Sequence, residues 1–290
     1  MTTPRYRGRF APSPTGPLHF GSLVTALASY LEARAHQGDW LVRIEDLDPL
    51  REPPEATDQI LASLEAHGLI ADEPIRFQSR RHPAYQSAIE QLLASGHAYR
   101  CACSRKQLKA NDGRHPAHCR DTTAVPRHIR HAIRFKLEDE SSHWQDQLLG
   151  PQRQTVNAEL DDPVLLRKEG FFAYQLAVVV DDIDQGISDV VRGSDLLDMT
   201  AQQQQIYRAL GAQPPAWLHI PVILNEQGQK LSKQTHAPAL DNNRAAGNLA
   251  EALQALGQNP PGHLAAAGVD AVLEWAMSHW RRRAIHLTSG

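Results

Sequence analysis

The spacing of apolar residues changes period along this 290-residue chain. Tyr6 to Ala11 reads as a strand, and Ser22 to Ala35 carries leucine and alanine at helical spacing. Trp40 to Glu45 alternates in strand fashion, followed by an amphipathic helix over Glu55 to His67 and another over Pro83 to Ser95. This order predicts an α/β fold: a parallel sheet with helices on its faces and ligands beyond the carboxyl ends of its strands. Ala11 to Gly16 and Glu45 to Asp48 each lie just past a predicted strand. Farther on, His131 to Leu137 alternates like a half-exposed strand, while Ser141 to Asn157 carries little signal and reads as connecting structure. Gly170 to Asp182 is a buried apolar element ending in two acids, and Ile187 to Leu197 supplies another strand and turn. About fifty residues follow Ala239, enough for a few helices ending at Trp280 to Arg283.

The first strand–helix junction is Arg9-Phe10-Ala11-Pro12-Ser13-Pro14-Thr15-Gly16-Pro17-Leu18-His19-Phe20-Gly21-Ser22. A strand ending in a Pro/Gly turn that feeds a helix leaves the first helical N–H groups facing outward, which attracts phosphate oxygens. His19 stands where its ring can donate to the same phosphates. Gly16 and Gly21 lack a Cβ, so backbone or nucleotide can approach closely. The plainer alternative is a proline-rich loop before an ordinary helix.

Residues 9–21, RFAPSPTGPLHFG, resemble the "HIGH" signature region of class I aminoacyl-tRNA synthetases in the form used by the glutamyl branch. That family carries a second motif far downstream, and Lys230-Leu231-Ser232-Lys233-Gln234 resembles its "KMSKS" loop. Only six lysines occur in the chain, and two fall within these four positions, after the turn-forming Asn225-Glu226-Gln227-Gly228. Alone, they would read equally as a solvated basic turn. A mobile loop carrying an ammonium suits a reaction in which negative charge builds on a pentavalent α-phosphorus and a leaving pyrophosphate. The resemblance implies ATP binding by His19, Gly21, Lys230 and Lys233, with Mg²⁺ accompanying ATP. His19 and Lys233 would be catalytic, Lys233 as the transition-state donor. Gln234 departs from the arginine usual in the glutamyl enzymes.

Hydrophobic content of 41% and charged content of 22% fit a globular enzyme, and the length suits about two domains. No apolar run approaches the ~20 residues of a membrane span, and Met1 to Arg9 lacks the apolar core of a signal peptide. A cytoplasmic location without a membrane partner is therefore expected by default, and a monomer is the expected state. A net charge of −3 does not advertise an RNA partner, so tRNA contacts would rest on local patches, mostly of arginine.

Tyr99 to Arg120 breaks the α/β pattern and holds all three cysteines. Cys101 and Cys103 form a C-x-C pair, and Cys119 follows with His115 four residues before it. Three cysteines cannot all pair in disulfides, and thiolates with one imidazole in a Gly/Pro-containing loop suit a tetrahedral structural Zn²⁺. The plainer alternative is a set of scattered buried thiols. His118 is the rival fourth ligand; its adjacency to Cys119 makes joint chelation awkward. The shortened glutamyl-Q branch of the glutamyl-tRNA synthetases is similar here too, commonly with a tyrosine at the position of His115.

Glutamate carries two carboxylates and one ammonium, so a site selecting it needs cationic forks and one anion. Arg9 and Arg192 are candidates for carboxylate, Tyr174 for a hydroxyl donor and Glu45 for the ammonium. Each has a bland alternative as surface charge, core residue or ion-pair partner. The resemblance, which spans roughly Arg5 to Pro238, matches these residues to the family's amino-acid site and adds Ala11 and Ser13. A glutaminyl enzyme would typically be acidic at the place of Ser13, so serine favours L-glutamate.

The resemblance thus implies a Rossmann-like class I synthetase catalytic domain with a zinc-containing insertion and a small C-terminal helical domain. Residues 1–98 and 123–238 would form the catalytic core, 99–122 the zinc insertion, and 239–290 a short helical region without an anticodon-binding domain. The chemistry implied is formation of glutamyl-adenylate. The glutamyl-Q branch then passes glutamate to the queuosine base at the wobble position of tRNA(Asp). Two alternatives stay open: a truncated synthetase charging a tRNA 3′ end, and a non-catalytic RNA-binding paralogue. Arg281 to Arg283 fits either RNA phosphate or the C-terminus of a helix.

Overall fold

Parallel strand pairing at the amino terminus sets the frame. A computed structural model describes residues 5–112, 117–121, 125–126, 128–224 and 238–286. β1 (Arg7–Phe10) leads through a turn into α1 (Phe20–Ala35), which returns the chain to β2 (Asp39–Ile44). β1 and β2 pair in parallel from Arg7 opposite Asp39 to Phe10 opposite Val42. After α2 (Ala56–Ala66), β3 (Arg76–Phe77) extends the same sheet beside β2. α3 (His82–Ala94) then leads to β4 (Ala98–Cys101) and the short α4 (Arg105–Ala110). β5 (Ala132–Phe135) pairs antiparallel with β4, placing Cys101 opposite Ala132 at the end of the ladder.

Ser141 to Asn157, expected to be connecting structure, is instead an antiparallel hairpin. β6 (Glu140–Asp146) and β7 (Gly150–Val156) pair over seven positions, from Glu140 opposite Val156 to Asp146 opposite Gly150. The polar run Ser-Ser-His-Trp-Gln has little apolar alternation. Its pairing comes from the partner strand and a turn closed by Gly150 at φ 77°. α5 (Ala158–Asp161) and β8 (Val164–Leu166) follow, β8 joining β5.

The apolar run ending in acids folds as the helix α6 (Tyr174–Asp184), which packs Leu176, Ala177 and Val179 into the core. A short continuous apolar run does not by itself separate helix from strand. β9 (Asp189–Gly193) lies beside β1, where the Ser188 N–H donates to Arg7 O (3.0 Å) and the Arg7 N–H donates to Ser188 Oγ (2.8 Å). α7 (Thr200–Ala209) connects β9 to its parallel partner β10 (Ala216–Ile220), and β6 meets β10 at Trp217 opposite Asp146. The expected α/β order is therefore present, with the carboxyl ends of β1, β2 and β9 close together.

α8 (Ala245–Ala255) and α9 (Val269–His279) close the chain against α1. Leu249, Leu253, Val272 and Leu273 share one core with Leu23, Leu27 and Leu31. Of the arginine triplet, Arg282 pairs with Glu32 of α1. Its Nε donates to Glu32 Oε1 (3.0 Å), Nη2 reaches Glu32 Oε2, and Trp280 Nε1 donates to the same carboxylate (2.8 Å). Glu32 is 1% exposed. Among the described residues, no helix is long and apolar enough to cross a membrane. Replacing Arg282 with alanine removes both N–H donors it gives to the buried Glu32, so Arg282→Ala should lower unfolding free energy by about 1–3 kcal/mol. Urea denaturation checks this; an unchanged midpoint would remove the ion pair from the stability of the α1 packing.

Candidate active site

Two adjacent carboxylates on α6 organise the ends of the strands. Asp182 accepts Arg9 Nε (3.1 Å) and Nη2 (3.2 Å) from β1, stands 2.8 Å from Arg43 Nη1 of β2, and accepts the Tyr207 hydroxyl (3.0 Å) of α7. Asp181 accepts the Tyr85 hydroxyl (2.7 Å), Gln78 Nε2 (2.9 Å) and Arg81 Nε (3.1 Å). Both acids are essentially sealed from solvent, at 0% and 1% exposure for Asp181 and Asp182. Burial alone would push Asp182 up, but Arg9 and Arg43 outweigh it and hold its carboxyl below the ordinary range. Sequence reasoning noticed the paired acids but not their partners Arg43 and Tyr207.

Glu45 follows β2 directly, and its N–H donates to Pro12 O (3.0 Å), tying the turn after β1 to the turn after β2. Its carboxylate is 7% exposed. Oε1 lies 3.6 Å from Arg43 Nη2 and has no hydrogen-bond partner among the described residues. Burial pushes the Glu45 carboxyl up to about 7, against the pull of Arg43 and Arg9. A buried acceptor in this state can take a further hydrogen-bond donor.

Arg192, in β9, is buried among neutral acceptors. Nε donates to His219 Nε2 (3.0 Å), Nη1 to Gln203 Oε1 (2.7 Å), and Nη2 to Thr200 Oγ1 (2.9 Å) and Leu196 O (3.2 Å). Its guanidinium carbon sits 4.5 Å from the centre of the Trp217 ring. Unlike Arg9, it has no carboxylate among these partners, so its charge is oriented but not neutralised. Neither Asp146 nor His219, which support it, was singled out in sequence; a lone histidine in the apolar strand Trp217-Leu218-His219-Ile220 gives no periodic signal.

Arg9, Ala11, Glu45, Tyr174 and Arg192 all line one small cavity of about 110 Å³. Through Ala11 and Gly193 it adjoins a larger cavity of about 510 Å³, which is lined by Ser13, His19 and Gly21. Ser13 also borders a third space, of about 180 Å³, together with Glu45 and Tyr174. His19 caps α1, its Nδ1 accepting the Ser22 N–H (3.3 Å) and its Nε2 lying 3.1 Å from Ser22 Oγ. Lys230 and Lys233 lie outside the described residues. The chain on both sides of them borders the larger cavity's walls: Pro221, Val222 and Ile223 line it, and Ala239 bridges to His19 while Leu240 N–H donates to Leu18 O (3.0 Å).

A second cluster lies at the end of β4. The sulfurs of Cys101, Cys103 and Cys119 all lie within 4.8 Å of one another, with Cys103 Sγ 3.1 Å from Cys119 Sγ. A tetrahedral ion with bonds of about 2.3 Å spaces its sulfurs by about 3.8 Å, so the three thiols fit as ligands to a metal. Burial raises all three thiols above the ordinary value; a bound cation would favour the thiolates. His115 lies outside the described residues, as does the His118 side chain.

The family model for class I tRNA synthetases (E and Q), catalytic domain, matches residues 5–256. A Pseudomonas aeruginosa (strain LESB58) protein named glutamyl-Q tRNA(Asp) synthetase is 49% identical over 280 residues, covering 96% of this chain and 94% of its own length. A Chromobacterium violaceum protein of the same name is 49% identical over 286 residues, covering 97% of this chain and 95% of its own length. Among solved structures, a glutamate tRNA ligase from Elizabethkingia meningosepticum CCUG26117 in complex with its amino acid aligns with a TM-score of 0.79 and 27% identity. That alignment covers 97% of this chain and 66% of the ligase, so the chain spans just under two thirds of that enzyme.

The thiol cluster makes its own prediction. Cd²⁺ added to chelator-treated protein should produce a thiolate charge-transfer band saturating at about one ion per chain, reduced by Cys103→Ser. A titration with no band would mean that the three thiols are only packed together.

Proposed function

The chain belongs to the class I tRNA synthetases of the E and Q type, and we propose that it activates L-glutamate with ATP and transfers the glutamate to the queuosine base at the wobble position of tRNA(Asp). The observation that carries the amino-acid assignment is the pairing, in one 110 Å³ cavity, of an arginine without a carboxylate partner and a buried carboxylate whose Oε1 accepts no hydrogen bond from the described residues. Arg192 takes a substrate carboxylate, Arg9 and the Tyr174 hydroxyl stand at the same cavity, and Glu45 takes the ammonium. Ala11 and Ser13 form the wall toward the larger cavity.

ATP occupies that larger cavity, with His19, Gly21 and the start of α1 at its phosphates. The glutamate α-carboxylate oxygen attacks the α-phosphorus, a new P–O bond forms, and the bond to pyrophosphate breaks. Lys230 and Lys233 meet the charge that builds on the phosphates, Lys233 in the transition state. Positioning and charge supply most of the catalysis, because little covalent work falls to the protein. Mg²⁺ accompanies ATP as charge compensation. The glutamyl group then passes to a queuosine hydroxyl and AMP leaves. The names of relatives that share 94–95% of their length with this chain support that acceptor. Cys101, Cys103 and Cys119 hold a structural Zn²⁺, with His115 as the fourth ligand in preference to His118.

The sign of the Glu45 shift gives a pH test. Below about 7 the free enzyme carries Glu45 protonated, and a neutral carboxyl cannot pair with the substrate ammonium. In glutamate-dependent ATP–pyrophosphate exchange without tRNA, KM for L-glutamate should rise as pH falls through that value. Glu45→Gln should raise KM about tenfold or more at pH 8 and flatten the profile. Absence of exchange by the wild-type chain would contradict adenylate formation, and an unchanged profile in Glu45→Gln would move the ammonium site elsewhere.

A further inference from the structure

Arg192 is held by a relay that crosses three strands. Asp146, at the end of β6, stands 2.6 Å from His219 Nδ1 in β10, and His219 Nε2 stands 3.0 Å from Arg192 Nε in β9. All three side chains are buried, and Asp146 and His219 have 1% and 0% exposure. The chemistry of the two ends fixes the proton between them. An arginine Nε can only donate, so His219 Nε2 must accept; the ring proton therefore sits on Nδ1, facing a carboxylate that can only accept. Asp146 is itself locked as an anion by the Leu148 N–H (3.0 Å), the Leu149 N–H (2.9 Å) and the His219 N–H (3.3 Å).

We infer that His219 is a positioning residue for the glutamate site, a neutral imidazole interposed between Asp146 and Arg192 so that the guanidinium is aimed without losing its charge to a neighbour. This rests on the glutamate reading above. The contrast with Arg9 carries the inference. Arg9 is fixed by direct bidentate contact with Asp182, which compensates its charge. Arg192 is fixed as firmly, yet its nearest carboxylate in the relay is one imidazole away. A carboxylate at position 219 would hold Arg192 and also compete with the substrate for it. The imidazole passes on orientation and keeps the anion distant, and the Trp217 ring, 4.5 Å from the guanidinium carbon, limits the remaining freedom.

Two isosteres separate this role from general packing. His219→Gln can place Oε1 near the position of Nε2 and keep an acceptor for Arg192. His219→Asn reaches only as far as Nδ1, keeping a donor for Asp146 and offering Arg192 nothing. Calorimetric binding of L-glutamate should weaken about ten- to a hundredfold in the asparagine variant, as for loss of a hydrogen bond to a charged group. It should stay within about threefold of wild type in the glutamine variant, and KM for ATP should be unchanged in both. Equal losses in the two variants, or none in either, would overturn the inference while leaving the glutamate reading intact. A wild-type chain that binds no L-glutamate would sink both. Should either variant fail to fold, ¹⁵N-resolved NMR of the wild-type imidazoles decides. A neutral His219 protonated at Nδ1 is expected; an imidazolium or the Nε2–H tautomer would overturn the relay.

Discussion

The ion pair of Asp182 with Arg9 and Arg43 is the constraint on which the site depends. It joins β1, β2 and α6 at the carboxyl ends of the strands, and Tyr207 brings in α7. Burying three charges together costs desolvation that only close geometry and full hydrogen bonding offset. Removing one partner would strand the others in a low-dielectric interior, so the backbone around them has little freedom. Glu45, two residues beyond Arg43, inherits its position from this arrangement. Burial raises its carboxyl, and Arg43, whose Nη1 pairs with Asp182, reaches only to 3.6 Å from its Oε1.

A division of labour among the arginines follows. Arg9 and Arg43 are paired directly with Asp182, whereas Arg192 is oriented by neutral groups alone. A buried cation is tolerated in that state because four of its five N–H groups are occupied, by Gln203, Thr200, Leu196 O and His219. Burial draws Arg192 below the ordinary arginine value, a cost that a carboxylate bound as proposed would offset. The cavity thus combines rigidly held cationic and anionic side chains, and the proposed glutamate site rests on that combination.

Much of this was legible in the chain. The turn after β1, the alternation of strands and helices and the clustered cysteines are readable in the sequence, and Arg9, Ala11, Glu45, Tyr174 and Arg192, singled out there, line one cavity. What sequence could not supply was pairing across distance. Arg9 and Asp182 are 173 positions apart, and Asp146 meets His219 across 73. Neither contact leaves a periodic trace. The β6–β7 hairpin was missed because its strands are polar and are specified by register with each other and by the edge of β10. Asp146 sits at the end of that hairpin, so missing the strand meant missing the relay behind Arg192.

The most direct test of the central claim is to incubate the chain with labelled L-glutamate, ATP and total tRNA from cells that make queuosine and from cells that do not. Label should enter only the queuosine-containing tRNA, in a form that prior periodate oxidation of the cyclopentene diol abolishes. Equal labelling of both tRNA pools, on the 3′-terminal ribose, would contradict the account and make the protein an aminoacylating enzyme.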